Sequence, residues 1–364
     1  MSSTLLLFVG TYTQALPHVP TAHAEGIYSF AFDPATGKLG YLAVTGDVEN
    51  PTYVTVDAKG EYLYAVSELE GGAENFCNAY KINKATGELT FINRQPTLGQ
   101  ASCYVTIDHS GKNVLVANYT SGQTVVVLPI RADGGVEPVS YQNEHSGKSI
   151  NRERQERSHG HCVVPDHANQ YVFVADLGID QLVRYRLDAA NGKLIPAPEG
   201  SVKIEAGSGP RHFVFSPDGR FVYLLNELNA SVTVLSYDAA AGTMQALQSI
   251  SALPEGYDGQ KWAAAIRITP DGRFVYTSNR GHDSIAMFEV DGGSGWLTSL
   301  GFQSTGGKVP RDFNIDPTGS WLLAANQETD TVVTFRINPS SGVLEETGIV
   351  TEVATPVSIA FTSA

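Results

Sequence analysis

The sequence is short of charged residues, cysteines and long apolar stretches, and each shortage excludes a class of protein. Asp, Glu, Lys and Arg make up only 17% of the 364 residues, below the quarter that is usual for soluble domains. Basic residues number 24 against 38 acidic ones, which gives a formal net charge of −14 at pH 7. Because nucleic-acid backbones and anionic membranes require a basic surface, we expect neither as a partner.

The few cysteines and the amino-terminal segment argue against a disulfide-rich, secreted or membrane protein. Cys77, Cys103 and Cys162 are widely spaced, so no disulfide framework or CxxC motif is visible, and core positions are the simpler interpretation. The apolar run at residues 5–9 has no basic segment before it and is too short for a signal peptide. No apolar stretch is long enough to span a bilayer. The sequence therefore predicts a cytoplasmic protein.

Glycine and tyrosine are abundant, with 36 and 16 residues, and they recur within an internal repeat of about fifty residues. Seven copies of one pattern read as an alternating strand, a tight turn whose glycine supplies a positive φ, and the start of another strand. The seven turn glycines are Gly37, Gly87, Gly135, Gly192, Gly242, Gly295 and Gly342.

A second pattern, strand–turn–strand with a DxxG-like turn, precedes the first and has six complete copies. Its seventh copy is split, with residues 356–363 as its first strand and residues 5–13 as its second. Each unit thus has four strands, A to D. The split copy closes a ring in which radial repetition leaves only short, protected sheet edges. The sequence predicts one all-β domain over residues 1–364, a seven-bladed β-propeller with four-stranded antiparallel blades closed by the two terminal strands.

The long connections identify the functional face of such a ring. Strand alternation places the B–C and D–A connections on one face, and the four long ones are 13–25, 69–77, 138–158 and 253–262. The A–B and C–D turns on the other face are short. Since binding residues concentrate on loops carried by a rigid scaffold, we expect the site on the first face.

Polar residues that differ from blade to blade mark the candidate site. Scaffold positions should look alike, whereas a site needs different chemistry from each blade. The start of strand A holds Thr52, Cys103, His161, Arg211, Ala264 and Arg311, and the end of strand B holds Glu68, Tyr119, Leu177, Glu227, Arg280 and Gln327. We expect His161, Arg211, Glu227, Arg280 and Arg311 to converge beside the channel. Three arginines there favour binding of an anion, because Arg suits carboxylate and phosphate recognition.

Structural interpretations remain open for these residues. Arg211 and Glu227 could form an ion pair, His161 could be a core histidine, and Arg311 could be paired in the channel. Asn118 could bond local backbone, as could the asparagines of other blades. His159, His212 and His282 flank the site. His159 and His212, with Asn118, Glu68 and Arg311, are candidate substrate-binding residues. Arg152, Arg154 and Arg157 lie in a charge-rich loop for which a solvated surface is the simpler interpretation.

Three segments resemble the propeller-type 6-phosphogluconolactonases, a family that also includes the fungal carboxymuconate-lactonizing enzymes. They are GSGPRHFVFSPDGRFVYLLNELNASV (207–232), NRERQERSHGHCVVPD (151–166) followed by ADLGID (175–180), and SNRGHDSIAMF (278–288). The resemblance covers nearly the whole chain. It implies a hydrolase that opens 6-phosphoglucono-δ-lactone to 6-phosphogluconate and needs no cofactor.

The active-site residues proposed for that family match four positions here. Its histidine corresponds to His161, its PR-motif arginine to Arg211, its glutamate to Glu227 and its second arginine to Arg280. Two positions depart from the family pattern: Ser158 stands where many members have proline, and Ala265 where an acidic residue is common. Neither departure touches the four residues, but both leave the identity of the lactone open. A phosphorylated lactone would need a phosphate pocket, for which Arg311, Lys261 or the arginine-bearing loop at residues 151–157 could serve.

The resemblance and the residues together predict metal-independent hydrolysis of a small anionic lactone. Arg211 and Arg280 would stabilise the oxyanion or hold the anionic group. His161 is the preferred acid–base because an ordinary imidazole titrates near neutrality, and Glu227 beside Arg211 should stay ionised.

Two alternatives remain. In a metal-dependent lactonase, Asn118, Asp176 and Glu68 could supply oxygen ligands to Ca²⁺. A non-catalytic interaction scaffold would need a continuous exposed apolar patch, for which Tyr257, Trp262 and Phe76 offer only scattered candidates.

Overall fold

The computed structural model describes residues 4–362 and shows seven antiparallel sheets in a ring. The chain begins with β1 (Leu5–Thr11), β2 (Ile27–Asp33) and β3 (Lys38–Thr45) of blade 1. Blade 2 comprises β4 (Pro51–Val56), β5 (Tyr62–Ser67), β6 (Phe76–Ile82) and β7 (Leu89–Pro96). Blade 3 comprises β8 (Ser102–Ile107), β9 (Asn113–Asn118), β10 (Val125–Pro129) and β11 (Tyr141–Asn143).

Blade 4 comprises β12 (Gly160–Pro165), β13 (Tyr171–Asp176), β14 (Gln181–Asp188), β15 (Lys193–Pro196) and, after a 3₁₀ turn at Pro198–Gly200, β16 (Val202–Lys203). Blade 5 comprises β17 (Pro210–Phe215), β18 (Phe221–Asn226), β19 (Ser231–Asp238) and β20 (Thr243–Ser251). Blade 6 comprises β21 (Trp262–Ile268), β22 (Phe274–Arg280), β23 (Ser284–Val290) and β24 (Leu297–Ser304). Blade 7 comprises β25 (Pro310–Ile315), β26 (Trp321–Asn326), β27 (Thr331–Ile337) and β28 (Leu344–Glu352), and β29 (Pro356–Phe361) returns to blade 1.

The terminal strands close the ring as the split repeat predicts. β29 is the innermost strand of blade 1 and pairs with β1, with Val9 opposite Ile359. It also contacts β25 and β4, the inner strands of the neighbouring blades, so blades 7, 1 and 2 are continuous around the channel and the ring is closed. The predicted seven-bladed fold is confirmed. Ser363, included in the predicted first strand, lies outside the described residues, and the single-domain assignment for 1–364 stays a prediction.

Packing between blades follows from the alternation of the strands. Seven hydrophobic clusters lie in the seven gaps between neighbouring blades. The middle strands are buried on both faces, as β18 is throughout, whereas the outermost strands, such as β20, alternate between exposed and half-buried positions. Burial of this apolar area is the main stabilising contribution, and it makes the channel wall a rigid support for the site.

Two local predictions need correction. Blade 4 has a fifth strand, because β16 pairs with β14 beyond the end of β15. In the blade 3 repeat the positive φ belongs to Gly134, at 83°, and not to Gly135. The GG pair in this turn conceals from the sequence which glycine takes the left-handed conformation.

A register shift recurs where the first two strands of each blade pair, next to the channel. In six blades one residue of the first strand has no partner opposite it, and in blade 6 two residues face one. The residues at the shift are Val357, Thr52, Cys103, His161, Arg211, the pair Ala264 and Ala265, and Arg311. A β-bulge re-aims the extra side chain. The fold therefore displays one selected side chain per blade towards the channel.

Among residues 4–362, no helix has the length and apolar character that crossing a membrane requires.

Candidate active site

A cavity of about 680 Å³ opens into one mouth of the central channel. Its wall includes His18, Glu70, Arg154 and Gln260, one residue from each of the four long connections. The cavity therefore lies on the face chosen from the sequence, and its volume is typical of a small-molecule site.

The nine predicted site residues divide into two groups by position. Five of them lie in the cavity wall: His161, Glu227, Arg280, Arg311 and Glu68. Within the described chain, the other four are not part of this wall: Arg211, His159, His212 and Asn118.

Three guanidinium groups surround the carboxylate of Glu227. Its Oε1 accepts a hydrogen bond from Nη2 of Arg154 at 2.5 Å, and its Oε2 lies 2.9 Å from Nε of Arg211 and 2.9 Å from Nη2 of Arg280. Burial would raise the pKa of Glu227, but the three cations, Arg280 foremost, outweigh it and hold that pKa well below its usual range. Three cations and one carboxylate leave a positive excess beside the cavity.

Arg154 lies in the cavity wall, although the sequence favoured a solvated surface for its loop. Besides binding Glu227, its Nη2 donates a hydrogen bond to the hydroxyl of Tyr119 at 2.9 Å, and its side chain is 32% exposed. Its neighbour Arg157 is 58% exposed and pairs with Glu156 on the surface. No local pattern separates the two arginines, because the path of the loop alone turns Arg154 inward.

Buried polar groups fix that loop at both ends. Nδ1 of His145 lies 2.7 Å from Oδ2 of Asp176, and its Nε2 lies 2.6 Å from the hydroxyl of Tyr185. Oδ1 of Asp176 accepts hydrogen bonds from the backbone N–H groups of His159 and Gly178 at 2.7 and 3.1 Å. Asp176 thus secures the chain on both sides of Arg154, which gives this side chain a defined position at the cavity.

His161 lies against the cavity with a buried, uncharged imidazole. Its ring meets those of Tyr119 and His212 edge-on, with centroids 5.4 and 5.2 Å away, and its Nδ1 lies 3.7 Å from Sγ of Cys103. Among residues 4–362, its Nε2 has no hydrogen-bond partner. Burial first, and then Arg211, lower the pKa of His161 well below 6.5. The near-neutral pKa of an ordinary imidazole is therefore not kept at this buried position.

Arg211 lies behind Glu227 and is only 1% exposed. Its Nη1 donates a hydrogen bond to the carbonyl of Ala264 and lies 3.4 Å from Nε2 of His212. Burial and the nearby charge of Arg280 lower the pKa of Arg211 to about 9. The ion pair considered for Arg211 and Glu227 is present. Its position suits Arg211 to hold the carboxylate, while Arg280 and Arg154 face the cavity.

A second ion pair, between Arg311 and Glu68, lies across blade 1 from blade 7 to blade 2. Nη2 of Arg311 lies 3.3 and 3.4 Å from the two carboxylate oxygens of Glu68. These oxygens also accept hydrogen bonds from the hydroxyls of Tyr12 at 2.8 Å and Thr52 at 2.6 Å. The guanidinium also lies 5.6 Å from the centroid of the Tyr12 ring. This carboxylate neutralises Arg311.

His159 and Asn118 support the cavity from behind. The ring of His159 stacks on Tyr119 at 4.5 Å, and its Nδ1 lies 2.7 Å from the Tyr119 carbonyl. The amide of Asn118 donates hydrogen bonds to the carbonyls of Thr97 and Gln123 at 3.0 and 2.6 Å. The local-backbone interpretation describes Asn118, and neither side chain is placed to contact a ligand.

His212 belongs to the opposite side of the channel. It lines a separate cavity of about 380 Å³ that includes Tyr53, Tyr104 and Arg267. The rings of Tyr53 and Tyr104 contact it edge-on, with centroids 5.9 and 5.2 Å away. A substrate in the first cavity therefore does not meet His212, because neighbouring residues of one strand point to opposite sides.

The oxygen ligands considered for Ca²⁺ are already bonded to protein donors. Asp176 binds His145 and two backbone N–H groups, and Glu68 binds Tyr12, Thr52 and Arg311. The amide oxygen of Asn118 accepts a hydrogen bond from the hydroxyl of Ser102 at 2.6 Å. Within residues 4–362, no cluster of three or more His, Cys, Asp or Glu side chains is arranged to hold a metal ion. All three cysteines are buried as free thiols.

The aromatic residues considered for a scaffold surface do not form a patch. Trp262 is 40% exposed, but it lies in the cavity wall, with the Arg280 guanidinium 5.8 Å from its ring centroid. Tyr257 and Phe76 are half-buried, and Phe76 is covered by Arg94 at 4.1 Å. Trp262, the exposed aromatic side chain among these three, is therefore part of the cavity wall.

Known proteins show the same fold and similar sequences. The family model for "Lactonase, 7-bladed beta-propeller" matches residues 6–361. A 6-phosphogluconolactonase of Bacillus subtilis is 40% identical over 308 residues, which are 84% of this chain and 83% of the relative. A 6-phosphogluconolactonase of Formosa agariphila is 32% identical over 312 residues, 85% of this chain and 86% of the relative.

A solved structure agrees with these relatives. The periplasmic gluconolactonase of Pseudomonas aeruginosa superposes with a TM-score of 0.92 at 35% identity, covering 99% of both chains. The family match spans all seven blades and contains every residue of the cavity described above. The chain belongs to the seven-bladed β-propeller lactonase family.

Proposed function

We propose that the protein hydrolyses the ring ester of a sugar lactone, with 6-phosphoglucono-δ-lactone as substrate and 6-phosphogluconate as product. The observation that carries the proposal is the Glu227–arginine cluster beside an uncharged His161, in the wall of a cavity of about 680 Å³. Membership of the lactonase family and the two relatives named 6-phosphogluconolactonase support the same chemistry.

His161 is the group best placed to activate water. Its lowered pKa keeps the imidazole uncharged at pH 7, so a ring nitrogen can accept the proton of an attacking water molecule. Glu227 is a poor alternative base, because its oxygens are occupied by three guanidinium groups and its pKa is depressed. The structure thus supports the sequence-based preference for His161, but for a different reason than near-neutral titration.

The positive excess at Glu227 suits the charge that develops on the substrate. When water adds to the lactone carbon, the carbonyl oxygen becomes an oxyanion, and donors already in place stabilise it without reorganising. Arg280 and Arg154 reach the cavity wall and can supply these donors. The bond between the carbonyl carbon and the ring oxygen then breaks. The ring oxygen accepts the proton from the His161 imidazolium and becomes a hydroxyl group, so the product is a hydroxy acid.

Titration of the acid released from 6-phosphoglucono-δ-lactone at constant pH tests this proposal. His161→Gln should lower kcat by at least about a hundredfold while leaving the melting temperature close to that of the unmodified protein. His282→Gln is the matched control, since His282 is not among the cavity-lining residues within the described chain and pairs with Ser284. Full activity of His161→Gln would refute the assignment. Arg211→Gln is less informative, because it also unbalances a buried charge cluster.

Metal independence is part of the proposal and has its own test. Dialysis against a chelator should leave the rate unchanged, and added Ca²⁺ should not increase it. A rate that falls with chelator and returns with Ca²⁺ would favour the metal-dependent alternative.

Location and partners complete the proposal. We infer a cytoplasmic protein whose partner is a small anionic lactone rather than nucleic acid or membrane, in keeping with the acidic composition. The Pseudomonas relative is described as periplasmic, so fractionation of cells is the deciding measurement.

A further inference from the structure

The cavity wall contains four cationic side chains, and three of them are already bound to carboxylates. Arg154 and Arg280 bind Glu227, and Arg311 binds Glu68. The fourth cation is Lys308, whose ammonium group has neither an ion pair nor a hydrogen bond within the described part of the chain. A ligand anion therefore meets this ammonium group without displacing a protein carboxylate.

The backbone at Lys308 is held firmly while its side chain stays exposed. Its N–H donates a hydrogen bond to Oγ1 of Thr329 at 3.1 Å, and its carbonyl accepts one from the N–H of Glu328 at 3.2 Å. The next residue, Val309, has a φ of 56° and donates its N–H to Oδ1 of Asp283 at 2.8 Å. A fixed attachment with a flexible four-carbon arm is the form in which Lys binds phosphate as a point charge.

The proposed chemistry distributes the substrate's polar groups over the cavity. The lactone carbonyl belongs at the positive excess beside His161 and Glu227, which are 5% and 3% exposed and therefore deep. In the substrate, the ring oxygen and two carbons separate the phosphate from the carbonyl carbon. The phosphate therefore lies away from His161 and Glu227. Arg311 is neutralised by Glu68, which itself is fixed by two hydroxyl groups. The exposed ammonium group of Lys308 is therefore the cation of the cavity wall that remains to bind the phosphate.

We propose that Lys308 binds the phosphate of a phosphorylated sugar lactone and determines the preference for it over the unphosphorylated lactone. This inference rests on the proposed lactonase function. Asp283 and Glu328 lie in the same part of the wall, so the local charge is negative once Lys308 is removed. The phosphate contact therefore depends on this one residue, whereas the reacting carbonyl does not.

Kinetics with two substrates test the assignment. Lys308→Gln should lower kcat/KM for 6-phosphoglucono-δ-lactone by about tenfold or more, mainly through KM, because a charged hydrogen bond is lost. It should leave kcat/KM for glucono-δ-lactone within about twofold, and Lys308→Arg should retain most of the preference. Lys261→Gln is the matched control, since Lys261 is exposed but, among the described residues, not part of the cavity wall.

A binding measurement separates failure of this inference from failure of the lactonase function. Calorimetric titration with 6-phosphogluconate and with gluconate should show tighter binding of the phosphorylated acid, and Lys308→Gln should abolish the difference. If the unmodified protein hydrolyses neither lactone, the lactonase proposal fails, and the titration still tests Lys308. If Lys308→Gln weakens both ligands equally or neither, or if the unmodified protein does not prefer the phosphorylated compounds, the assignment of Lys308 is overturned.

Discussion

Nε of Arg211 lies 2.9 Å from Oε2 of Glu227, and both side chains are almost fully buried, at 2% and 3% exposure. Arg211 is the bulged residue at the start of β17, and Glu227 follows the end of β18, its neighbour in the sheet. The same two positions of blade 2 hold Thr52 and Glu68, which are joined by a hydrogen bond of 2.6 Å. The bulge and the strand end thus form a recurrent pair of positions whose chemistry each blade can vary.

Removal of the Glu227 charge should destabilise the protein as well as inactivate it. Glu227→Gln keeps the side-chain shape but leaves the three surrounding arginines, one of them 1% exposed, without their shared carboxylate. A buried charge that loses its partner costs about 3–5 kcal/mol. We expect the free energy of unfolding in urea to fall by that order and lactone hydrolysis to be lost.

Glu70→Gln is the control for this prediction. Glu70 also lies in the cavity wall, but it is 31% exposed and its carboxylate is 3.9 Å from the His18 ring. Its replacement should change the unfolding free energy by no more than about 0.5 kcal/mol. Equal stability losses in the two variants would show that the arginine cluster does not require Glu227.

The pH dependence of the reaction should differ from that of an ordinary histidine base. Burial and Arg211 lower the pKa of His161 well below 6.5, so the imidazole stays in its uncharged, basic form as the pH falls through 6.5. We expect kcat/KM to be flat between about pH 6 and 8 and to fall only at more acidic pH. The measurement uses glucono-δ-lactone, because a phosphate monoester itself titrates at about pH 6. An inflection near pH 6.5 with this unphosphorylated substrate would contradict the lowered pKa of His161.

The fold could be predicted from the sequence because the same turn and strand patterns recur in every blade. Seven glycine turns, the strand alternation and the split terminal copy each constrain the same ring, and the blade-to-blade comparison located His161, Glu227, Arg280 and Arg311 at one cavity. This comparison works because a bulge at the start of strand A recurs in every blade and lies next to the end of strand B.

The sequence could not show how deeply each polar side chain is buried or which cavity it faces. The sequence marks Arg211, at the start of strand A, and Arg280, at the end of strand B, as polar departures from the repeat. Arg280 faces the cavity, whereas Arg211 lies behind Glu227. His212 follows Arg211 directly, and strand alternation turns it towards the opposite cavity. Arg154 lies outside the repeat altogether, so only the three-dimensional path of its loop could identify it.

Arg154 should contribute to the reaction and Arg157 should not. Arg154→Gln removes a charged donor at Glu227 and Tyr119, and loss of one donor near a developing oxyanion typically lowers kcat by about a hundredfold. Arg157→Gln alters only a surface pair with Glu156 and should leave kcat within about twofold. A comparable kcat for the two variants under saturating lactone would remove Arg154 from the site.

Two buried histidines should make stability depend on pH in a window where few other groups titrate. Burial lowers the pKa of both His161 and His212 well below 6.5 in the folded protein, whereas an exposed ring in the unfolded chain titrates near 6.5. Below that pH the unfolded chain takes up protons that the folded state does not, so stability is fully present above pH 6.5 and decreases as the pH falls. Each ring contributes about 1.4 kcal/mol per pH unit below 6.5.

Urea unfolding between pH 5 and 6.5 measures this effect. The depressed pKa of Glu227 matters only at more acidic pH, and the histidine contribution is taken as the difference between the unmodified protein and a histidine variant, because burial raises the pKa of Asp312. His212→Gln should reduce the slope of unfolding free energy against pH by the amount expected for one proton. His167→Gln replaces an exposed histidine and is the control for the substitution itself. If His212→Gln has the full slope of the unmodified protein, the ring at position 212 takes up its proton in the folded state, and the channel between the two cavities is wetter than its burial indicates.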